Sequence, residues 1–137
     1  MTPIDRFKTI YNQLDATNVN LADELYDPAI RFVDPVKEIQ GLENLKAYFR
    51  DLYDGVEECR FEFTHEIASG NAATLCWVMH LRHGKLKPKE TVQVPGASYL
   101  EFGDKIIYHH DYFDLGKLIY ERVPVLGGLI RTIKNRL

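Results

Sequence analysis

A chain of 137 residues is long enough for one domain with a sizeable core and too short for two. With 45% hydrophobic and 12% aromatic residues it has too much apolar surface for a disordered chain, and a formal net charge of −3 gives no electrostatic case for nucleic acid. The charge is uneven: residues 1–114 hold twelve Lys/Arg against nineteen Asp/Glu, whereas 115–137 hold five basic residues against one acid, which sets the terminal segment apart.

In chain order, Ile4, Phe7, Ile10, Tyr11 and Leu14 recur at helical spacing and predict a helix over Asp5–Asn18, with Thr2 and Asp5 as a capping box and Pro3 in the first turn. Leu21, Ala22 and Leu25 predict a short second helix over Asn20–Tyr26, ended by Asp27-Pro28. Ile30–Asp34 reads as a short strand cut by Pro35, and Gly41–Tyr53 as a third helix closed by Gly55.

The period then changes to two. Strands are expected over Glu57–Ser69, Ala72–His83, Thr91–Phe102 and Lys105–Asp114, separated by Gly70-Asn71, the 84–88 stretch and Gly103-Asp104. Short turns between consecutive strands imply an antiparallel meander, and helices on one face of it an α+β architecture. Residues 116–137 return to a helical period, interrupted by Pro124 and Gly127-Gly128. This basic amphipathic tail is expected to pack on the domain formed by residues 1–115, or on a dimer partner, and to help close a pocket mouth. Lys85–Lys89 reads as a solvated hairpin.

The N-terminus lacks a basic-then-apolar signal, and no apolar run approaches the roughly 18–20 residues of a membrane span, so a cytoplasmic protein is expected. Cys59 and Cys76 have no motif spacing and read as free thiols.

Two segments carry a family resemblance over roughly residues 4–115. The first is Leu25-Tyr26-Asp27-Pro28-Ala29-Ile30-Arg31-Phe32-Val33-Asp34-Pro35-Val36, followed by Gly41 and a helix. The second is Lys105-Ile106-Ile107-Tyr108-His109-His110-Asp111-Tyr112-Phe113-Asp114. With the element order they resemble the nuclear transport factor 2-like superfamily, which includes ketosteroid isomerase, SnoaL-like polyketide cyclases and limonene epoxide hydrolase. The resemblance implies a cone-shaped, cystatin-like α+β fold, with three N-terminal helices on a curved antiparallel sheet and an internal pocket.

The resemblance also suggests roles. Asp34 corresponds to the general base of ketosteroid isomerase, and Asp111 to the water-activating Asp of limonene epoxide hydrolase. Tyr11 lies near the isomerase's oxyanion Tyr, and Ser98 near its protonated Asp. The Leu75–Leu81 strand lacks the hydrolase's Arg-x-Asp pair, and Phe32 and Asp34 stand where that enzyme has its water-positioning Tyr and Asn. The tail looks like that of bacterial members.

Strand alternation sorts the candidates. Ile107, His109, Asp111 and Phe113 share one face, opposite Tyr108, His110 and Tyr112; Trp77, Met79 and Leu81 share one face, opposite Val78, His80 and Arg82. The resemblance turns the first set of each strand into the concave pocket. Asp111 is then an acid among apolar neighbours, where burial disfavours the charged form and suits acid–base work. A structural role is the alternative, with Asp111 paired to Arg31 or another cation, or capping a loop. Candidate catalytic residues are Asp111, Asp34, Tyr11 and His109; candidate substrate contacts are Trp77, Met79, Leu81, Ser98, Phe113 and Phe32. His109 and His110 point to opposite faces and cannot chelate one ion together, so neither metal nor cofactor is expected. His65, His80 and His83 read as sheet-surface or turn residues.

Three functions stay open: an enzyme doing proton transfer on a small apolar substrate (isomerase, cyclase or hydrolase), a non-catalytic module for such a molecule, or an interaction protein docking through its tail, with a membrane surface the less expected target. Tyr99, Tyr108, His110 and Tyr112 on the convex face lead us to expect a homodimer.

Overall fold

The computed structural model describes residues 1–84 and 91–116. Helix α1 (Pro3–Tyr11) starts as its sequence predicts: the Thr2 hydroxyl accepts from the Asp5 amide, and the Asp5 carboxylate accepts from the Thr2 amide. It ends seven residues earlier than its period suggests. The Asp15 carboxylate takes the amide and hydroxyl of Thr17 at 2.7 and 2.6 Å, and Asn18 bonds back to Gln13 and Asp15. These short polar side chains compete with helical hydrogen bonds and win. A 3-10 turn (Val19–Leu21) and the four-residue α2 (Ala22–Leu25) replace the expected second helix.

Strand β1 (Tyr26–Val33) begins where a helix end is expected, and Pro28 is tolerated because β2 (Glu38–Gln40) pairs only with Arg31–Val33. At three residues, β2 is too short to show a period. Helix α3 (Leu42–Tyr53) precedes β3 (Val56–Ser69), β4 (Ala72–His83), β5 (Thr91–Phe102) and β6 (Ile106–Phe113). These six strands form one curved, unclosed sheet in the order β2-β1-β6-β5-β4-β3; the last four make the expected meander, and β1 joins β6 in parallel. The fold is the α+β architecture implied by the sequence.

The helices cover one face. Phe7, Leu25, Tyr26, Ile30, Leu45, Leu75, Leu100 and Ile106 are essentially inaccessible between the layers. Each such aliphatic or aromatic side chain contributes roughly 1.5–3 kcal/mol on burial. Gly55 closes α3 at φ +80°, and a Cβ there would lie 2.8 Å from the His83 ring. His83 is therefore buried, with Nε2 3.3 Å from the Asp54 carbonyl, and His80 is buried beside Glu62 at 3.1 Å. Both depart from the surface placement expected of them; His65 is exposed as expected. The expected tail, apart from Gly116, and the Lys85–Lys89 hairpin lie outside the described residues.

Alternation fails at one place on β6. Glu101 pairs with Tyr108 but Phe102 pairs with Ile106, so Ile107 is the extra residue of a β-bulge. Ile106 is buried, and Ile107, expected in the pocket, is 49% exposed. Ile106→Ala is expected to cost about 2–5 kcal/mol in denaturant unfolding, and Ile107→Ala no more than about 0.5 kcal/mol. The reverse order would show that β6 runs without the bulge.

Candidate functional site

The register of β4, β5 and β6 stacks side chains in rows across the helix-covered face. One row is Trp77, Gly96 and Phe113; the next is Leu75, Ser98 and Asp111; the third is Ala73, Leu100 and His109, continued by Phe32 on β1. The polar groups Ser98, Asp111 and His109 thus stand side by side in an otherwise apolar layer.

In front of these rows lies a cavity of about 130 Å³. Asp111, Asp34 and Tyr11 all reach it, as do Trp77, Met79, Leu81, Phe113 and Phe32. Ser98 and His109 do not line it. They stand behind Asp111, buried at 1% and 0% exposure.

Asp111 is held from behind. His109 Nε2 lies 2.6 Å from its Oδ1, and the Ser98 hydroxyl donates to the same oxygen at 2.5 Å. Trp77 Nε1–H donates to the Ser98 oxygen at 2.9 Å. Ser98 has one proton, so this contact directs it to Asp111. On the other side of His109, Nδ1 lies 2.6 Å from the Tyr26 hydroxyl, which lies 2.6 Å from that of Tyr11. Arg31 is elsewhere: its guanidinium bonds Glu38 at 2.6 and 2.8 Å and lies over the Tyr108 ring. The alternative of an Asp111–Arg31 pair is therefore not what the fold builds.

Asp34 differs in its surroundings. Its Oδ1 accepts the amides of Val36 and Lys37, each at 2.8 Å, and its Oδ2 accepts the Tyr48 hydroxyl. Both oxygens are engaged in closing the turn between β1 and β2 and tying it to α3.

Burial pushes the phenols of Tyr11, Tyr26 and Tyr53 well above the ordinary tyrosine range, so all three are neutral hydroxyls. Burial, and then the neighbouring Asp34 charge, raise Tyr48 in the same way. The Cys59 thiol is pushed up to about 12, first by burial and also by the charge of Glu58, against a hydrogen bond from Tyr53 that lowers it. Cys59 and Cys76 are both free thiols. Among the described residues no group of three or more His, Cys, Asp or Glu could hold a metal ion. His110 faces away from His109 and stacks on Tyr112, as alternation requires.

Sequence reasoning missed Tyr26, which bridges Tyr11 and His109, and the α3 phenols Tyr48 and Tyr53. Tyr48 belongs to the α3 apolar stripe and shows as core. Tyr26 was hidden by its placement at a helix end, although a Tyr ahead of Asp27-Pro28 is a signal that a strand start could have claimed.

Gly96 admits the Trp77 indole across the sheet. A Cβ there would fall inside the ring's van der Waals envelope and 2.8 Å from the Tyr112 carbonyl oxygen. Gly96→Ala is expected to displace Trp77, cost about 1–3 kcal/mol and shift the emission of the chain's one tryptophan. Unchanged emission would show that the indole does not rest on Gly96.

No curated protein sequence matches the chain. Among solved structures it is similar to a SnoaL-like protein from Shewanella denitrificans OS-217 that is named for polyketide cyclases, at 17% identity over 87% of this chain and 93% of that one, with a TM-score of 0.73. It is similar to a protein of ketosteroid isomerase-like fold from Catenulispora acidiphila DSM 44928, solved with trimethylamine (19% identity, 88% and 93% covered, TM-score 0.75). A nuclear transport factor 2-like protein of unknown function from Burkholderia pseudomallei K96243 is similar at 13% identity, with 88% and 97% covered and a TM-score of 0.75. These likenesses show the fold. The SnoaL-like domain family matches residues 7–110, and the chain belongs to that family.

Proposed function

We propose that this protein binds a small apolar molecule in its internal cavity and moves a proton on it, with Asp111 as the base. One observation carries the reading. Asp111 reaches an apolar cavity while its Oδ1 is fixed by Ser98 and His109, and among the described residues its Oδ2 has no hydrogen-bond partner. Asp34 is the weaker candidate, because both of its oxygens already take protein donors. The apolar walls suit a small apolar ligand, and the carboxylate edge among them is the polar group that would meet its acidic C–H.

Tyr11 is the neutral phenol at the cavity wall, placed to donate to a substrate oxygen when its proton is turned into the cavity. Ser98 is assigned to Asp111, since its one proton is already committed there, and His109 holds and orients the base. Proton removal next to a carbonyl, followed by its return or by ring closure, uses these groups without a metal. The names of the polyketide cyclase and ketosteroid isomerase-like relatives fit that reaction class.

The open face supports a second proposal, a homodimer. His110 stacks on Tyr112 at 4.0 Å between ring centroids, Tyr108 contacts Tyr99, and Tyr112 is 55% exposed. A two-fold dimer would cover this aromatic strip. Sedimentation at micromolar concentration should give a dimer that Tyr112→Glu dissociates; a monomer for the unaltered chain would remove the proposal.

The enzyme reading is tested with a panel of small apolar ketones in D2O. The unaltered protein should catalyse exchange of α-protons for deuterium, followed by NMR, and Asp111→Asn should lower the rate by about 10²–10⁴-fold while keeping its fold and ligand affinity. Tight binding without exchange would make the protein a carrier of its ligand. Equal exchange by Asp111→Asn would assign the base elsewhere.

A further inference from the structure

Behind the cavity runs a chain of hydrogen bonds that returns to the cavity. It starts at Asp111, passes through His109 and Tyr26, and ends at Tyr11, with each of its three links 2.6 Å long. Its interior members, His109 and Tyr26, are fully buried, and its two ends both line the cavity. The aromatic rings of Phe7, Phe32 and Tyr11 pack edge-on around the His109 ring and Tyr26 stacks on it, so no water separates the links.

Proton counting restricts this chain. Neutral His109 has one N–H and two neighbours, and Tyr26 has one O–H and two neighbours. With every link made and any Asp111 proton on Oδ1, the relay's end, the protons order in one of two ways; a proton on Oδ2 leaves the ionised order unchanged. With Asp111 ionised, Nε2–H donates to the carboxylate, Nδ1 accepts from Tyr26, and Tyr26 accepts from Tyr11, whose lone pairs then face the cavity. With Asp111 protonated on Oδ1, that proton goes to Nε2, Nδ1–H donates to Tyr26, Tyr26 donates to Tyr11, and the Tyr11 O–H points into the cavity. Ser98 stands outside this chain: its oxygen accepts from Trp77 Nε1–H and its hydroxyl donates to Asp111 Oδ1.

We propose that Tyr26 and His109 form a buried proton relay that makes Tyr11 and Asp111 one acid–base unit with two ports on the cavity, the Tyr11 phenol changing from acceptor to donor when Asp111 gains its proton through the relay. The inference rests on the proton-transfer reading of the cavity. The step balances. A carbon acid or water in the cavity gives a proton to the Tyr11 oxygen; the Tyr11 proton passes to Tyr26, the Tyr26 proton to Nδ1, and the Nε2 proton to Asp111 Oδ1. The substrate has lost one proton, the carboxylate has gained it, and neither phenol nor the imidazole is left charged. The reverse sequence returns the proton from Tyr11. His109 is thus a positioning and relaying residue, and Tyr26 the one hydroxyl without which the ends separate.

Among the described residues, the other titratable groups facing Asp111 and its partners are Asp34 of the β1–β2 turn, Tyr48 and Tyr53 of α3, and Cys59 of β3. The phenols and the thiol stay neutral through the working range, since burial raises each of them. Asp34 is the one of these four that needs a control.

The relay is tested by NMR on the full chain, free of ligand, with labelled Tyr Cζ, Asp carboxyl carbon and His ring nitrogen, across an acid-to-neutral titration. Asp34→Asn serves as background. The Tyr11 Cζ signal should move with the same midpoint as the Asp111 carboxyl carbon, and the proton on the His109 ring should move from Nε2 to Nδ1 as Asp111 is protonated. Tyr26→Phe should abolish the Tyr11 response while Asp111 still titrates. A Tyr11 signal that ignores Asp111 in the background chain overturns the relay. So does a response that survives in Tyr26→Phe, because it would be a field effect across the cavity. If Tyr26→Phe fails to fold, the His109 nitrogen that carries the proton decides alone: an Nε2–H that persists after Asp111 is protonated overturns the proposal. These signals do not depend on turnover, so a failed relay and a failed ketone exchange are separate results.

Discussion

The site depends on a carboxylate held in an apolar layer by a serine hydroxyl and an imidazole. Asp111 is 15% exposed, among rows of Leu, Phe and Trp, and an ionised group in such a place is costly unless its lone pairs are occupied. Ser98 and His109 occupy one oxygen. Neither is an Arg or Lys, whose permanent charge would quench the carboxylate as a base. Among the described residues nothing binds the carboxylate's second oxygen, and Asp34 shows the contrast: three donors close its turn and occupy both of its oxygens.

The fold supplies that arrangement through register. Antiparallel pairing sets Ser98 directly beside Asp111 and Leu100 beside His109, and the parallel β1–β6 pairing brings Phe32 against the imidazole. The bulge at Ile107 lets Ile106 turn into the core while His109, Asp111 and Phe113 keep the cavity side. Without that extra residue, Ile106 and His109 would fall on opposite faces, and either the core contact or the site would be lost. Gly96 performs a related task one row away, where the missing side chain makes room for the indole that fixes Ser98.

Much of the fold was legible in the sequence. The change from a 3.6 to a two-residue period after Gly55 marks the start of the meander, and β4 and β5 have the bounds their alternation predicts. Alternation grouped Trp77, Met79 and Leu81 on one face of β4 and Asp111 and Phe113 on one face of β6, the family resemblance turned those faces to a pocket, and all five line the cavity. It failed at Ile107 because a bulge changes parity and leaves no mark in residue type. The end of α1 was misread because Asn12, Asp15, Thr17 and Asn18 make their bonds locally and to the β3 backbone at Phe61, which periodicity cannot register. Tyr26 escaped because its role lies in contacts to residues 15 and 83 positions away.

The proposal turns on Asp111 presenting to whatever fills the cavity a carboxylate oxygen that no described residue binds. A crystal structure of the full chain with a small apolar ketone bound there tests it most directly. The account predicts the ligand's α-carbon or carbonyl group within about 3–3.5 Å of Asp111 Oδ2, with Oδ1 still on Ser98 and His109 and the Tyr11 hydroxyl within hydrogen-bond distance of the ligand oxygen. A ligand seated in the cavity with its polar atoms on Asp34 and Tyr48, and Asp111 turned away from it, would contradict the account.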